Sequence, residues 1–172
     1  KGRGHRQADD LSFVLSNGGK ELLVDSGYYS FKANDGREYV VSSLAHNTVS
    51  INGLSYKGWD TSFDSFETNE DYTLLQASHR NYVGFEHKRW LLSLKPGMLL
   101  VIDRLNARDS SGLSKVSFFE QQFHFAPDLK LKVTEQFNRV EVTTNDARKQ
   151  IVLLLTQLGI NKPNMRVIKG QK

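Results

Sequence analysis

A chain of 172 residues is long enough for one domain with a continuous core, with roughly two thirds of its unfolded surface expected to be buried on folding. Hydrophobic residues make up 38% and charged residues 24%, and no apolar run approaches the roughly 20 residues that span a bilayer. With no cysteine, disulfides and thiolate metal sites are excluded, and His, Asp and Glu are the available metal ligands.

The net charge of +4 belongs to the ends of the chain. Lys1, Arg3, Arg6, Lys162, Arg166, Lys169 and Lys172 are seven of the 23 basic residues, which leaves 16 against 19 acids in the body. A basic stripe interleaved with aromatics, as a nucleic-acid binder carries, is absent from the interior. The expectation is therefore no nucleic acid and no membrane.

In chain order, residues 11–16, LSFVLS, alternate with Leu11, Phe13 and Leu15 on one face, as a strand does. NGGK at 17–20 is a turn signal and ELLVD at 21–25 a second strand, so the two form a hairpin with its tip at Gly18 and Gly19. Further strands are expected at 48–52, 72–82, 84–94 and 98–103, and Lys95-Pro96-Gly97-Met98 has the composition of a type II turn. The series continues at 115–125, 129–133, 139–144 and 150–157. No window sustains an apolar period of 3.6 residues with caps. The fold class is all-β, a large antiparallel β-sandwich with little helix, filling residues 1–172 as one domain. The dense cluster GHRQADD beside the first residue suggests a piece cut from a longer polypeptide.

Of five histidines, His79 and His87 lie in strands among charged neighbours and are expected at solvent or rim positions. His124 alternates with Phe123 and Phe125 and so faces away from them, toward the surface or a groove. His46, in SSLAHNTVSING, sits at the lip of a strand whose Val49 and Ile51 enter the core, and Asp25 ends a strand before Ser26 and Gly27. Imidazole and carboxylate at neighbouring strand ends hold either Zn²⁺ or a hydrogen-bonded cluster. Asp9 and Asp10 are expected to fix the loop around His5, Asn47 to cap a turn or reach a ligand, and Trp59 and Trp90 to pack or to offer a flat ring face to a ligand.

Taken in order, HRQADDLSF, ELLVDSGYYSF, REYVVSSLAHNTVSINGLSY and HKRWLLSLKPGMLLVIDRL resemble the β-domain of the heparinase II/III-like family of heparin, heparan and alginate lyases. The family pattern runs H-x-H-x-D-x-x-S-F, then L-x-x-D-x-G-x-Y, then A-H-N-T-V and D/N-G. The resemblance implies a sandwich preceded by an α/α toroid, with an acidic polysaccharide bound between them and cleaved by β-elimination, and an exported or cell-surface location. Zinc ligands of the family would fall on Gln7, Asp25 and His46. Glutamine is a poor zinc ligand, so zinc is expected weakly or not at all, with His5 substituting or Gln7 hydrogen-bonding in its place. The resemblance implies His5 as base or carboxylate neutraliser and Tyr39, with Tyr28 and Tyr29 behind it, as a tyrosine acid or base. Arg3, Arg6, Gln7 and Asn47 would contact substrate. The competing expectation is a carbohydrate-binding or scaffolding sandwich without catalysis.

Overall fold

A computed structural model describes residues 6–28, 35–110, 116–134, 139–144, 151–156 and 167–168, of which 151–155 are described by their backbone alone. The chain is all-β, its ladders antiparallel throughout, and it divides into two compact units, residues 1–13 with 25–124 and residues 14–24 with 125–172. Among the described residues no helix is long and apolar enough to cross a membrane.

The first unit holds a four-stranded meander of β4 (Thr61–Thr68), β5 (Tyr72–His79), β6 (Phe85–Leu94) and β7 (Met98–Ala107). A two-stranded ribbon of β3 (Val49–Ile51) and β8 (Phe119–Gln121) packs over β6 and β7, where Phe85 meets Phe119 edge-on with ring centroids 6.0 Å apart, and Gln121 Nε2 donates to Asp103 Oδ2 at 2.6 Å. Two layers of antiparallel sheet thus enclose Ala8, Ile51, Tyr56, Tyr82 and Phe85. A six-residue helix, α1 (Asp35–Val40), and a 3-10 turn at Ser43–Ala45 lead into β3. The chain leaves β3 through Asn52 and Gly53, both at positive φ, the conformation of a tight I′ hairpin turn for which Asn-Gly is the preferred pair.

In the second unit, β1 (Leu15–Asn17) and β2 (Lys20–Leu23) form the expected hairpin, with Gly18 at φ +57° and Gly19 at φ +76°. Both tip residues need the left-handed region, which glycine enters without a Cβ clash. The remaining sheet runs β11 (Ile151–Thr156), β10 (Arg139–Thr144), β9 (Leu129–Thr134), with Val140 and Val142 buried on one side of β10.

Four local expectations change. Residues 11–14 are irregular rather than strand, because Leu11 turns at φ +62° and Ser12 N–H donates to the Asp9 carbonyl at 3.0 Å. The loop at Lys95-Pro96 is not type II: its peptide is cis, and Gly97 N–H donates to the Leu94 carbonyl at 2.9 Å, placing Pro96 at the third position of a type VI turn. Among the described residues of the segment 115–125, Phe119–Gln121 alone forms a strand. Strand β4, unmarked by alternation, is present as the edge of the meander; its register slips between Phe63 and Ser65, so Phe63 and Phe66 share a face three residues apart.

Candidate functional site

Three segments of the first unit converge: residues 6–12, 25–27 and 39–47. The Ala8 amide donates to the Val41 carbonyl at 2.9 Å, which ties the first segment to the end of α1. His46 follows the 3-10 turn in extended backbone, and its side chain is fully buried. Its Nδ1 lies 2.7 Å from Asp25 Oδ2. The other Asp25 oxygen accepts from Gly27 N–H at 2.8 Å, an Asx turn that holds the carboxylate facing the imidazole. Gln7 Nε2 donates to the Gly27 carbonyl at 3.3 Å. Gln7, Asp25 and His46 are thereby joined through Gly27 in one chain of hydrogen bonds. A carboxylate accepts, so His46 Nδ1 carries the hydrogen; its buried Nε2 is an acceptor with no partner among the described residues.

Asp10 is a second centre. Its carboxylate accepts from Arg6 Nη2, from Thr61 Oγ1 at 2.5 Å, from Tyr56 Oη at 3.0 Å and from Asn81 Nδ2 at 2.9 Å. It fixes its loop by hydrogen bonds, as its place in the sequence suggested. Burial, followed by the adjacent Asp10 charge, pushes the Tyr56 phenol far above its ordinary range. Arg6 is held between Asp10 and Thr61, with its guanidinium 5.2 Å from the centroid of the half-exposed Trp59 ring. Trp90 is partly buried and donates to Gln76 Oε1 at 2.9 Å.

His79 and His87 are not at the rim. Both are buried, and they continue into Asp103 and Arg89. Asn81 N–H reaches His79 Nδ1 at 3.2 Å; His79 Nε2 is 3.1 Å from His87 Nδ1; His87 Nε2 is 2.7 Å from Asp103 Oδ1. The amide can only donate, which assigns hydrogens to His79 Nε2 and His87 Nε2 along the chain. Arg89, 1% exposed, makes a two-pronged bond to Asp103 through Nε at 2.7 Å and Nη2 at 2.8 Å. Its Nη1 donates to the carbonyls of Leu11 at 2.7 Å and Asn47 at 2.5 Å. The meander therefore grips both limbs of the site from beneath. Burial alone would raise the Asp103 carboxyl, but the hydrogen bonds from His87 and Arg89 hold it well below the usual carboxylate range.

Asn47 is fully buried, its Nδ2 donating to the Phe13 carbonyl at 2.8 Å and its Oδ1 accepting from His124 N–H at 2.6 Å. It acts within the fold, as a bracket between segments. His124 is partly buried: Nε2 is 3.1 Å from the Leu44 carbonyl and 3.5 Å from Tyr39 Oη. Tyr39, on α1, is half-exposed, and partial burial raises its phenol above the ordinary value. Arg37, one turn face away, sits over the Tyr28 ring at 5.7 Å. His124 is the member of this group that strand alternation pointed to only by excluding it from the side of Phe123 and Phe125.

His5, Arg3 and Tyr29 lie outside the described residues. Of the zinc ligands implied by the resemblance, Asp25 and His46 are brought together, while His5, the substitute for the third, is outside the described residues. Among the described residues no three His, Asp or Glu side chains converge as metal ligands, the amide of Gln7 is turned to Gly27, and both Asp25 oxygens are engaged.

Residues 1–162 match the sequence profile of the family described as Heparinase II/III-like, C-terminal. The exo-oligoalginate lyase of Saccharophagus degradans is 30% identical over 163 residues, covering 80% of this chain and 22% of that enzyme. Heparan sulfate lyase HepC of Pedobacter heparinus superposes with a TM-score of 0.74 at 20% identity, over 84% of this chain and 22% of its own. A heparinase III structure does so with a TM-score of 0.67 at 19% identity, over 81% and 21%. The two structures establish a shared fold, and the chain spans no more than 22% of the length of these three relatives.

Proposed function

The chain belongs to the heparinase II/III-like family, and on that premise we propose that it is the β-domain of a polysaccharide lyase that cleaves uronate-containing acidic glycans by β-elimination. The observation that supports this most is the convergence of Gln7, Asp25 and His46 in one hydrogen-bonded group, with Tyr39 and His124 on the adjoining segments. Three positions in segments that resemble the family pattern, far apart in sequence, meet in the fold.

β-Elimination breaks the C5–H bond of the uronate, moves that electron pair into a C4=C5 double bond, and breaks the C4–O4 bond with its electrons left on oxygen. A base must take the C5 proton, an acid must protonate the departing oxygen, and the C6 carboxylate must be neutralised so that negative charge is tolerable at C5. In this reading His5 is the base or the neutraliser and Tyr39 the acid or base. Arg3 and Arg6 provide positive charge toward the glycan, Arg6 from the fixed position that Asp10 gives it. Gln7 orients the Asp25 loop, and Asn47 serves by holding His124. The remaining partner is an α/α toroid in a longer polypeptide, which the greater length of the relatives supports.

Zinc takes no part in this scheme. Metal analysis after dialysis is expected to find little zinc; one equivalent, lost on His46→Ala, would overturn that expectation.

The test of the whole reading uses the protein encoded by the complete reading frame that contains this chain, incubated with heparan, alginate and related uronate polymers. An ultraviolet absorbance rise from the unsaturated uronate is expected, and Tyr39→Phe should lower it by about 10²-fold or more. The replacement of a family ligand by Gln7 also favours a second reading, a carbohydrate-binding module whose chemistry has been lost. Glycan binding with no unsaturated product from any acidic polymer would establish that one instead.

A further inference from the structure

The role of His124 follows from three contacts. The Leu44 carbonyl can only accept a hydrogen bond, so at 3.1 Å it fixes the hydrogen of the neutral imidazole on Nε2. The same N–H borders Tyr39 Oη at 3.5 Å, and Tyr39 Oη is in turn 3.4 Å from the Leu44 oxygen. Imidazole N–H, phenol oxygen and carbonyl oxygen therefore form a triangle. While the phenol is neutral, its hydrogen points to the carbonyl; once it is lost, the imidazole N–H is the donor already in place for the phenolate. Contacts of this length are common before substrate is bound and tighten in the reacting complex.

From this triangle we infer that His124 is the positioning residue of Tyr39, orienting its phenol and stabilising the phenolate that forms when Tyr39 gives up its proton. The assignment deepens the lyase reading and rests on it for its catalytic meaning. The backbone of His124 is fixed for this purpose, since its N–H donates at 2.6 Å to the buried Asn47 amide, which is itself clamped to Phe13 and, through the Asn47 carbonyl, to Arg89. The far ring nitrogen, Nδ1, is buried with no partner among the described residues. A second hydrogen there would have no acceptor, so the geometry keeps the ring neutral with its single hydrogen facing Tyr39. Desolvation by burial lowers the His124 imidazole in the same sense.

The charged and titratable groups around the pair are Asp35, Arg37 and Glu38 on α1, and His46 and Asp25 on the other side of His124. None of them supplies a hydrogen bond to Tyr39 Oη among the described residues, which leaves His124 as its side-chain partner.

Two experiments test the inference, with folding of each variant checked by near-ultraviolet circular dichroism. In this chain, phenol ionisation is followed by ultraviolet difference titration, with Tyr39→Phe used to isolate the Tyr39 transition. His124→Phe is expected to move that transition to higher pH, and His124→Gln, which places an amide N–H near the former Nε2, to restore much of it. If His124→Phe fails to fold, His124→Gln and His124→Asn are compared with wild type, and a Tyr39 transition identical in all three overturns the proposal. An unchanged or lowered transition in His124→Phe overturns it as well. In the complete protein acting on a uronate polymer, His124→Phe should reduce kcat by on the order of 10²-fold with KM changed little, and His124→Gln should recover part of the loss. A loss confined to KM would refute the positioning role. Absence of lyase activity in the wild-type complete protein would refute the proposed function alone, because the phenol titration decides the His124 and Tyr39 coupling without substrate.

Discussion

Gly58 shows how one position carries the geometry around it. A Cβ built there would lie 2.5 Å from Asn81 Oδ1 and 3.0 Å from the Asn81 Cα. Asn81 cannot retreat without loss, since its Oδ1 accepts from Asp60 N–H at 2.8 Å and its Nδ2 donates to Asp10. Gly58→Ala is therefore expected to destabilise the protein by roughly 1–3 kcal/mol in urea unfolding, and a loss below a few tenths would refute the close approach. Arg89 is the more costly residue to remove. Arg89→Met leaves the Asp103 carboxylate buried without its two-pronged partner and frees the carbonyls of Leu11 and Asn47, so a loss of roughly 3–5 kcal/mol is expected. Lysine cannot reproduce the planar fork, so Arg89→Lys should recover only a minor part of it. Full stability in Arg89→Lys would show that charge alone, rather than the fork, holds the brace.

The local signals of these residues were unequal. NGGK announced its hairpin because two consecutive left-handed residues have few sequences that tolerate them. The polar lip at His46 was likewise visible, as a break in polarity before Val49 and Ile51. His79 and His87 gave the opposite impression, because strand alternation assigns a face without saying what covers it. The rings of Tyr56 and Tyr82 pack against His79, and the carbonyls of Leu11 and Asn47 and the amide of Gln121, distant in sequence, complete the buried network through Arg89 and Asp103.

At the scale of elements, β4 is the lesson. Its Phe63 and Phe66 break the two-residue period, yet the slip at residue 64 returns both to one face, opposite Ala77 and Leu75. A bulge of this kind is a property of the pairing and not of the strand, so TSFDSFET by itself offers no alternation to read. The hairpin of β1 and β2 allows a cleaner experiment. Nothing lies within 4 Å of a Cβ added at Gly19, so Gly19→Ala meets only the cost of left-handed backbone, about 1–2 kcal/mol. Amide hydrogen exchange should show faster opening of residues 15–23, and no change in the protection of β5 and β6. Equal loss of protection in both places would mean that the two compact units open together.

For the whole molecule the buried histidine chain sets the response to acid. Burial first, and then the neighbouring His87, hold the His79 imidazole down to about 3 from its ordinary 6.5. Between those values the unfolded chain binds a proton that the folded chain refuses, so stability rises with pH across the window and falls as the medium is acidified. His79 thus contributes fully above pH 6.5, and its contribution is lost as the pH drops toward 3. Asp103, held low by His87 and Arg89, adds a loss of the same sign below the ordinary carboxylate pKa. Thermal unfolding followed from pH 7 to pH 4 should show a fall worth up to about 3 kcal/mol from His79. A flat profile over that range would refute the assignment of a neutral, buried His79.

By itself the sequence determined the antiparallel, strand-rich class, most strand positions and the hairpin at Gly18 and Gly19, while the grouping of Gln7, Asp25 and His46 came from its resemblance to a family pattern. The class, the strands and the hairpin are set by interactions between near neighbours, where the period of polarity and the φ preference of glycine act within a few residues. Only the tertiary structure decided that Gln7 reaches Gly27, that Asn47 is a bracket rather than a surface donor, that His79 and His87 are interior, and that His124 faces Tyr39. Each of those outcomes depends on which distant carbonyl or carboxylate arrives to satisfy a polar group. A buried polar side chain is stable only when that partner is present, and the fold, not the local sequence, supplies it.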